Sequence, residues 1–258
     1  MIYEISKEKG ISDFFYCKKM SKDQHPSRVH SHLEIIFVLK NSIEVSVSGK
    51  KYVVNEGSMI FIMPYEVHSY FVEDSEVFII ACPPEYISEY RELFGGRSFE
   101  FHCTSFTKVH SVIISDLVKN GCKDDLQKKA LIYSAVSEFI GNCPLIERNS
   151  FEYDVYRRAI VYISEHYTEN ISLESAADFV GVTPFHLSRV LNSDGKPGFS
   201  EILNSLRIHA AKKMLKQENV SVSEVAFETG YGSIRNFNRV FKQYFGCNPS
   251  DIRKRKSA

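Results

Sequence analysis

The chain has no excess of either charge. Its 32 Lys and Arg match 32 Asp and Glu, so no whole-molecule field draws it to a polyanion. Any attraction to nucleic acid must come from where charges sit. Residues 151–258 hold 15 Lys and Arg against 12 Asp and Glu, and residues 1–150 hold 17 against 20. The C-terminal part is therefore mildly basic and the N-terminal part mildly acidic. The six cysteines (Cys17, Cys82, Cys103, Cys122, Cys143, Cys247) lack CxxC spacing. This argues against a zinc finger and fits reduced thiols in a cytoplasm better than disulfides. No apolar run approaches the ~20 residues of a membrane helix. The opening MIYEISKEKG is charged and has no apolar core, so no signal peptide is expected. A cytoplasmic protein with no membrane partner is expected, and 258 residues suffice for two domains with proper cores.

What is present is a repeat. ISLESAADFVGVTPFHLSRVL runs from Ile171 to Leu191, and VSVSEVAFETGYGSIRNFNRVF from Val220 to Phe241. Ala177 matches Ala226 and Gly181 matches Gly230. One extra residue then brings Leu187 to Phe237, Arg189 to Arg239 and Val190 to Val240. Two copies are too few for a solenoid. Each copy has the layout of a helix-turn-helix, which lays its second helix in the major groove.

The spacing has physical reasons. A short helix crossing closely under another needs a small residue, and Ala177 and Ala226 supply it. The sharp turn that follows favours a residue tolerant of positive φ, and Gly181 and Gly230 fall there. Thr183 and Ser233 can cap the second helices, and Pro184 suits a first turn. Leu187, Val190 and Leu191, then Phe237, Val240 and Phe241, form inward stripes. The surface expected to meet DNA is Thr183, Pro184, His186, Ser188 and Arg189, with Ser233, Arg235, Asn236, Asn238 and Arg239. The arginines suit guanine or phosphate, and the amides suit base edges, adenine most naturally. The bland alternative is a pair of ordinary helical hairpins. Two copies with the same small-residue and glycine positions weigh against it.

These residues resemble the AraC/XylS family of bacterial transcription factors. The resemblance is strongest in GYGSIRNFNRVFKQYFGCNPSDIR, Gly230 to Arg253. The first copy resembles the family through Leu173, Ala177, Gly181, Leu187, Gly195, Phe199, Leu206, Arg207 and Ala211. Asn248 departs from the usual threonine or serine before the proline, Ile252 from an aromatic, and Asn192 from an apolar or basic residue. The resemblance implies double-stranded DNA, RNA polymerase, a small-molecule effector and a second copy of the chain as partners.

From Ile2 to Ile80 short runs such as LEIIFVL, IEVSVSG and SMIFIMP alternate with Gly, Asn, Pro and Asp. Many short strands close together predict a β-barrel or sandwich. Two clusters in it carry chemistry: His30-Ser31-His32-Leu33-Glu34, whose His30, His32 and Glu34 would share one face of a strand, and Gly57 to His68. They resemble the paired motifs of the cupin barrel, the usual sensor domain of the family. Glu34 follows His32 too closely for the usual metal motif, and no asparagine follows His68 at the family's position. Three readings stay open: histidines that cap the barrel mouth, contacts to a small ligand, or a zinc or iron(II) site. The expectation is effector contact through His30, His32, Glu34, His68 and Tyr70, with no metal, no cofactor and no enzyme activity. Tyr52, Phe61, Met63 and Tyr65 would line the same wall or belong to the core. A carbohydrate is the default effector class implied by the resemblance.

Beyond Pro84, PPEYISEYRELF predicts a short helix, and Ser98 to Phe106 a last strand. Thr107–Lys119 and Asp124–Gly141 predict two amphipathic helices, the second turning Leu126, Ala130, Leu131, Ser134 and Phe139 inward. They pack on the barrel or, as the resemblance implies, join two copies. NCPLIERN breaks the pattern. A helix follows with Val155, Ala159, Ile160, Tyr162 and Ile163 facing a core, and Ser200–Lys216 predicts a spacer helix of roughly 25 Å. Such a spacer can set two recognition helices about one DNA turn apart, near ~34 Å. The tail Arg253, Lys254, Arg255, Lys256 is either a phosphate contact or solvated.

The expected organisation is α+β with two domains. A cupin-like β-barrel with following helices fills 1–143, a linker 144–152, and an all-α domain with two helix-turn-helix units 153–258. The expected function is a sequence-specific, effector-responsive DNA-binding regulator. The alternatives are a metal-binding cupin enzyme fused to a DNA-binding module and an effector-independent DNA-binding dimer.

Overall fold

The computed structural model describes residues 3–5, 16–21, 23–147, 149–193, 196–216 and 220–254. Gly195 and the tail residues Arg255 and Lys256 lie outside them. The chain forms two compact units, residues 8–153 and residues 154–258 together with 1–7. The short strand β1 (Tyr3–Ile5) thus groups with the helical unit rather than with the strand-rich one.

The first unit is a pair of facing sheets. Its strands are β2 (Tyr16–Met20), β3 (Asp23–Val29), β4 (Leu33–Lys40), β5 (Ser42–Val47), β6 (Lys50–Asn55), β7 (Ser58–Ile62), β8 (His68–Val72), β9 (Glu76–Cys82), β10 (Arg97–Phe99), β11 (Cys103–Ser105) and β12 (Leu145–Glu147). One sheet carries the order β3-β8-β5-β6, the other β11-β7-β4-β9-β2. The unbroken apolar runs of β4, β7 and β9 follow from burial on both faces. Ile36, Val38, Ile60, Ile62, Val77 and Ile79 point between the sheets and meet Ile43, Val45, Val47, Val54 and Val72. Leu33, Ile35, Phe37, Met59, Phe61, Phe78 and Ile80 point the other way. Helices α2 (Lys108–Lys119) and α3 (Asp125–Asn142) cover that outer face through Ile114, Leu117, Leu131, Ile132, Ala135, Val136 and Phe139. Each of these side chains larger than alanine contributes about 1.5–3 kcal/mol of burial.

Four local expectations need correction. PPEYISEYRELF forms a 3-10 turn at Pro84–Tyr86 and a separate α1 (Tyr90–Phe94). Ser98 to Phe106 holds parts of two short strands, β10 and β11, not one. On α3, Leu126 is 79% exposed and Ala130 is exposed. Lys128 takes the inward place, burying its stem while Nζ donates to Asp125 Oδ1 at 2.9 Å. Leu145–Glu147, expected in the linker, pair antiparallel with Arg97–Phe99.

In the second unit the helices are α4 (Ser150–His166), α5 (Leu173–Val180), α6 (Pro184–Leu191), α7 (Phe199–Met214), α8 (Val222–Glu228), α9 (Ile234–Phe245) and α10 (Pro249–Lys254). Val155, Ala159, Ile160 and Ile163 of α4 are buried, and Tyr156 replaces the expected Tyr162. Tyr162 instead stacks on Phe179 at 4.8 Å. The sequence departures have local uses. Asn192 caps the C-terminus of α6, its Nδ2 donating to Ser188 O at 2.7 Å. At Asn248 it is the backbone N–H, independent of the side chain, that donates to Asp251 Oδ2 at 3.0 Å and closes the first turn of α10. Ile252 packs against the core of the second copy.

Candidate DNA interface and barrel site

The two copies fold to the same plan. Ser172 caps α5 by accepting from Ser175 N, and Ser221 caps α8 by accepting from Glu224 N. Ala177 and Ala226 are fully buried under the second helices. Gly181 has φ +83° and Gly230 φ +88°, the left-handed backbone that glycine adopts without a Cβ penalty. Thr183 Oγ1 then accepts from His186 N at 3.2 Å, and Ser233 Oγ from Asn236 N at 3.3 Å. Each cap satisfies one orphan N–H of the second helix of its copy and contributes about 1 kcal/mol.

The inward stripes are as spaced: Leu187, Val190 and Leu191 on α6, and Phe237, Val240 and Phe241 on α9, are all buried. Arg189, Arg235, Asn236, Asn238 and Arg239 are exposed, whereas Pro184, His186 and Ser188 are half-buried. Arg189 Nη2 lies 3.5 Å from His186 Nδ1. Arg239 Nη2 donates to Asn236 Oδ1 at 3.0 Å, which joins an amide and a guanidinium on one helix face. Two residues of these faces escaped the sequence reading. Phe185 is 82% exposed on the first turn of α6, two positions off the inward stripe, which is the signal that marks it. Lys242 is exposed on α9, three residues after Arg239 and seven after Arg235, so helical spacing puts all three cations on one side.

The barrel cluster forms, with different geometry from a single strand face. His30 and His32 lie in the turn between β3 and β4, and only Glu34 is on β4. Glu34 shares its face with Ile36 and Val38, and His68 shares its face with Tyr70 and Val72, so both point between the sheets. His30 Nε2 lies 3.2 Å and His68 Nε2 3.7 Å from Glu34 Oε2. One donor atom from each of His30, Glu34 and His68 falls within 4.8 Å of the others. His32 is beside them, its ring 5.9 Å from that of His30, but does not join the three. Tyr70 is buried in the apolar core between the sheets. Phe61 and Met63, read as either wall or core, belong to the core under the helices. Tyr65 sits at φ +63° with its ring edge-on to Tyr153.

The protons of the two histidines are constrained. His30 Nδ1 meets His32 O at 3.2 Å, and His68 Nδ1 meets Glu66 O at 2.9 Å. A carbonyl only accepts, so each Nδ1 carries the proton. A neutral ring then aims its Nε2 lone pair at the Glu34 carboxylate. Burial pushes Glu34 upward, and hydrogen bonds and charge from His30 and His68, which the rings supply only as imidazolium, pull it below the ordinary carboxylate range. Burial, with the charge of His30, pulls His32 down to about 4 against the opposing pull of Glu34. The site is thus a buried carboxyl group, 4% exposed, facing two Nε2 atoms that are donors only as imidazolium. With neutral rings it suits a cation or a hydrogen-bond donor.

A second buried cluster supports the first and was missed. Met63 N donates to Glu66 Oε2 at 2.9 Å, and His102 Nε2 lies 3.1 Å from both Glu66 oxygens. Tyr52 OH meets His102 Nδ1 at 3.2 Å. Glu66 is therefore clamped by its side chain while its carbonyl orients His68. No periodicity links residues 52, 66 and 102, so spacing held no signal for it.

A helix-turn-helix domain profile matches residues 176–255, and a cupin domain profile matches residues 19–82. An uncharacterized HTH-type transcriptional regulator of Staphylococcus aureus is 21% identical over 234 residues, covering 86% of this chain and 31% of that protein. HTH-type transcriptional regulator GlxA of Rhizobium meliloti is 32% identical over 82 residues, covering 32% of this chain and 25% of the relative. The chain spans about a third of the length of the Staphylococcus relative it matches. Among solved structures, an apo ToxT variant from Vibrio cholerae superposes with a TM-score of 0.60 at 15% identity, over 95% of this chain and 98% of that one. Wild-type ToxT with an unsaturated fatty acid bound gives 0.57 at 14% identity, over 95% and 96%. No helix among the described residues is long and apolar enough to cross a membrane. A cupin domain match thus precedes a helix-turn-helix domain match in one chain, and the relatives it resembles are HTH-type transcriptional regulators.

Proposed function

We propose that this chain is a sequence-specific DNA-binding transcriptional regulator, acting in the cytoplasm without catalysing a reaction. One observation carries the reading: two capped helices, α6 and α9, bury matching apolar stripes and leave Arg189, Arg235, Asn236, Asn238 and Arg239 exposed. Thr183, Pro184, His186, Ser188 and Ser233 complete the proposed surface at the helix starts. The test is selection from a random duplex library with the full chain. Enrichment of a motif with two half-sites is expected. Equal binding to all duplexes would sink the reading.

The effector is proposed to enter at His30, His32, Glu34, His68 and Tyr70. Tyr70 and the apolar residues around it suit an apolar part, and the buried carboxylate suits a donor-bearing or cationic head. A carboxylate head group beside Glu34 would need His30 and His68 as imidazolium, because two like charges at low dielectric repel. A hydroxyl-rich sugar satisfies the polar end only. Self-association is proposed through α2 and α3, whose exposed faces carry Val109, Val112, Leu126, Tyr133 and Ile140. RNA polymerase is the proposed downstream partner.

A second reading of the barrel has its own support. Two Nε2 lone pairs and a carboxylate oxygen converging within 4.8 Å suit a divalent metal, which would remove the need for imidazolium. Dialysis of the full chain against zinc, followed by metal analysis, decides it. The metal reading expects one zinc per chain, absent in Glu34→Gln. The effector reading expects no retained zinc in either.

A further inference from the structure

The two helix-turn-helix copies are not held alike, and the difference centres on one arginine. Arg207 lies on α7, between the copies in sequence. Its Nε donates to Tyr167 O at 2.6 Å and its Nη2 to Glu169 O at 2.7 Å. Both carbonyls belong to the segment leaving α4, and Arg207 matches its fork to two acceptors that have left the helix ladder. The guanidinium also lies over the Tyr231 ring, 5.5 Å from its centroid. Tyr231 follows the turn glycine of the second copy. It is buried, its OH donates to Asn204 Oδ1 of α7 at 3.1 Å, and its ring packs edge-on to Phe237 of α9 at 5.3 Å.

Gly230 fits the same junction. A Cβ there would lie 2.8 Å from Thr168 O, 2.9 Å from Tyr167 O and 2.9 Å from Arg207 Nε. A Cβ on Gly181, at nearly the same φ, would meet nothing within 4 Å. The first glycine answers only the turn. The second also lets the turn press against the end of α4. Three segments therefore meet at Arg207: the exit of α4, the spacer α7 and the turn that aims α9.

The geometry points to Arg207 as the positioning residue that fixes the second recognition helix relative to the first, and so sets the distance between the two DNA half-motifs the protein accepts. This rests on the DNA-binding reading above. Arg207 does not itself touch DNA. Its effect comes from effective concentration: once one recognition helix is bound, the other meets its half-motif strongly only if the joint holds it at the right separation. Loosening the joint leaves each half-motif readable and spreads the spacing.

The test is random-duplex selection with the full chain as wild type, Arg207→Met and Arg207→Lys, each checked for a cooperative unfolding transition of the helical unit. Wild type should select two half-motifs at one spacing. Arg207→Met should select the same two half-motifs over several spacings, and lose about tenfold to a hundredfold in affinity for the wild-type duplex. Its affinity for a duplex with one half-motif should change by less than about twofold, since that contact needs no second helix. Arg207→Lys keeps the charge without the fork and should fall between them. An Arg207→Met variant that keeps the sharp spacing overturns the proposal. So does a loss of affinity equal for one and two half-motifs, which marks a residue needed only for folding. If wild type selects no motif at all, the DNA-binding reading fails first.

Discussion

The two helix-turn-helix copies share their local design and differ in how they are joined. Both have a serine-capped first helix, a buried alanine, a left-handed glycine, and a capped second helix with three buried side chains. Their differences lie at long range. Gly181 faces open space where Gly230 faces two backbone carbonyls and a guanidinium. The first copy buries Leu187, Val190 and Leu191, whereas the second buries two phenylalanines in a core extended by Tyr231, Tyr244 and Phe245. A repeated local code thus yields two units of similar shape, and tertiary partners decide which of its positions tolerate change.

The largest effect should separate the glycines. Gly181→Ala should cost about 1–2 kcal/mol, the strain of a side chain in the left-handed region. Gly230→Ala bears that strain and adds three contacts under 3 Å, which no flexible side chain relieves at the two carbonyls. A loss of about 3 kcal/mol or more is expected. Denaturant unfolding of the full-length variants measures both. Equal losses would mean that the second turn can shift away from α4, and the contrast between the joints would be gone.

A smaller contrast concerns the proposed DNA faces. Arg235→Ala should weaken specific binding by about 1–3 kcal/mol if the side chain reads a base. Arg189→Ala is expected to lower binding to specific and random duplexes alike, because its neighbours His186 and Ser188 are half-buried and leave α6 a narrower polar face. Competition binding against random DNA reads the difference. A specific loss for Arg189 and a uniform loss for Arg235 would exchange the roles of the two helices. Phe185, 82% exposed, sharpens the same comparison: Phe185→Ala should leave stability within about 0.5 kcal/mol and still lower DNA affinity, since a bare phenyl on that face suits a thymine methyl.

What could be read from the chain beforehand follows the range of the signal. Caps, turn glycines and inward stripes act within one or two helical turns, so the spacing of Thr183, Gly230 or Phe241 carries them directly. The doubly buried strands were legible as unbroken apolar runs, since β4 and β9 must fill both faces. The barrel cluster was legible as a set of residues but not as a shape. His30 and His32 leave strand geometry in a turn, and it is the return of β8 that brings His68 to Glu34. Partners such as Glu66 with His102, or Arg207 with the carbonyls of Tyr167 and Glu169, lie 36 to 40 residues apart. No local pattern encodes such pairs. On α3 the stripe was misplaced because a lysine stem can serve as apolar surface.

The smallest effect tests what the copies have in common. Thr183 and Ser233 occupy equivalent places, each accepting from the backbone N–H three residues on, at 3.2 and 3.3 Å. Removing either hydroxyl leaves one helix-start N–H without its side-chain acceptor, and each helix begins at a solvent-facing end where water replaces part of the bond. Thr183→Ala and Ser233→Ala should therefore each cost about 1 kcal/mol and agree within a few tenths. Urea unfolding resolves a difference of that size. If Ser233→Ala costs far more, the start of α9 carries load from the Arg207 joint, and the local plan of the second copy is not independent of its docking.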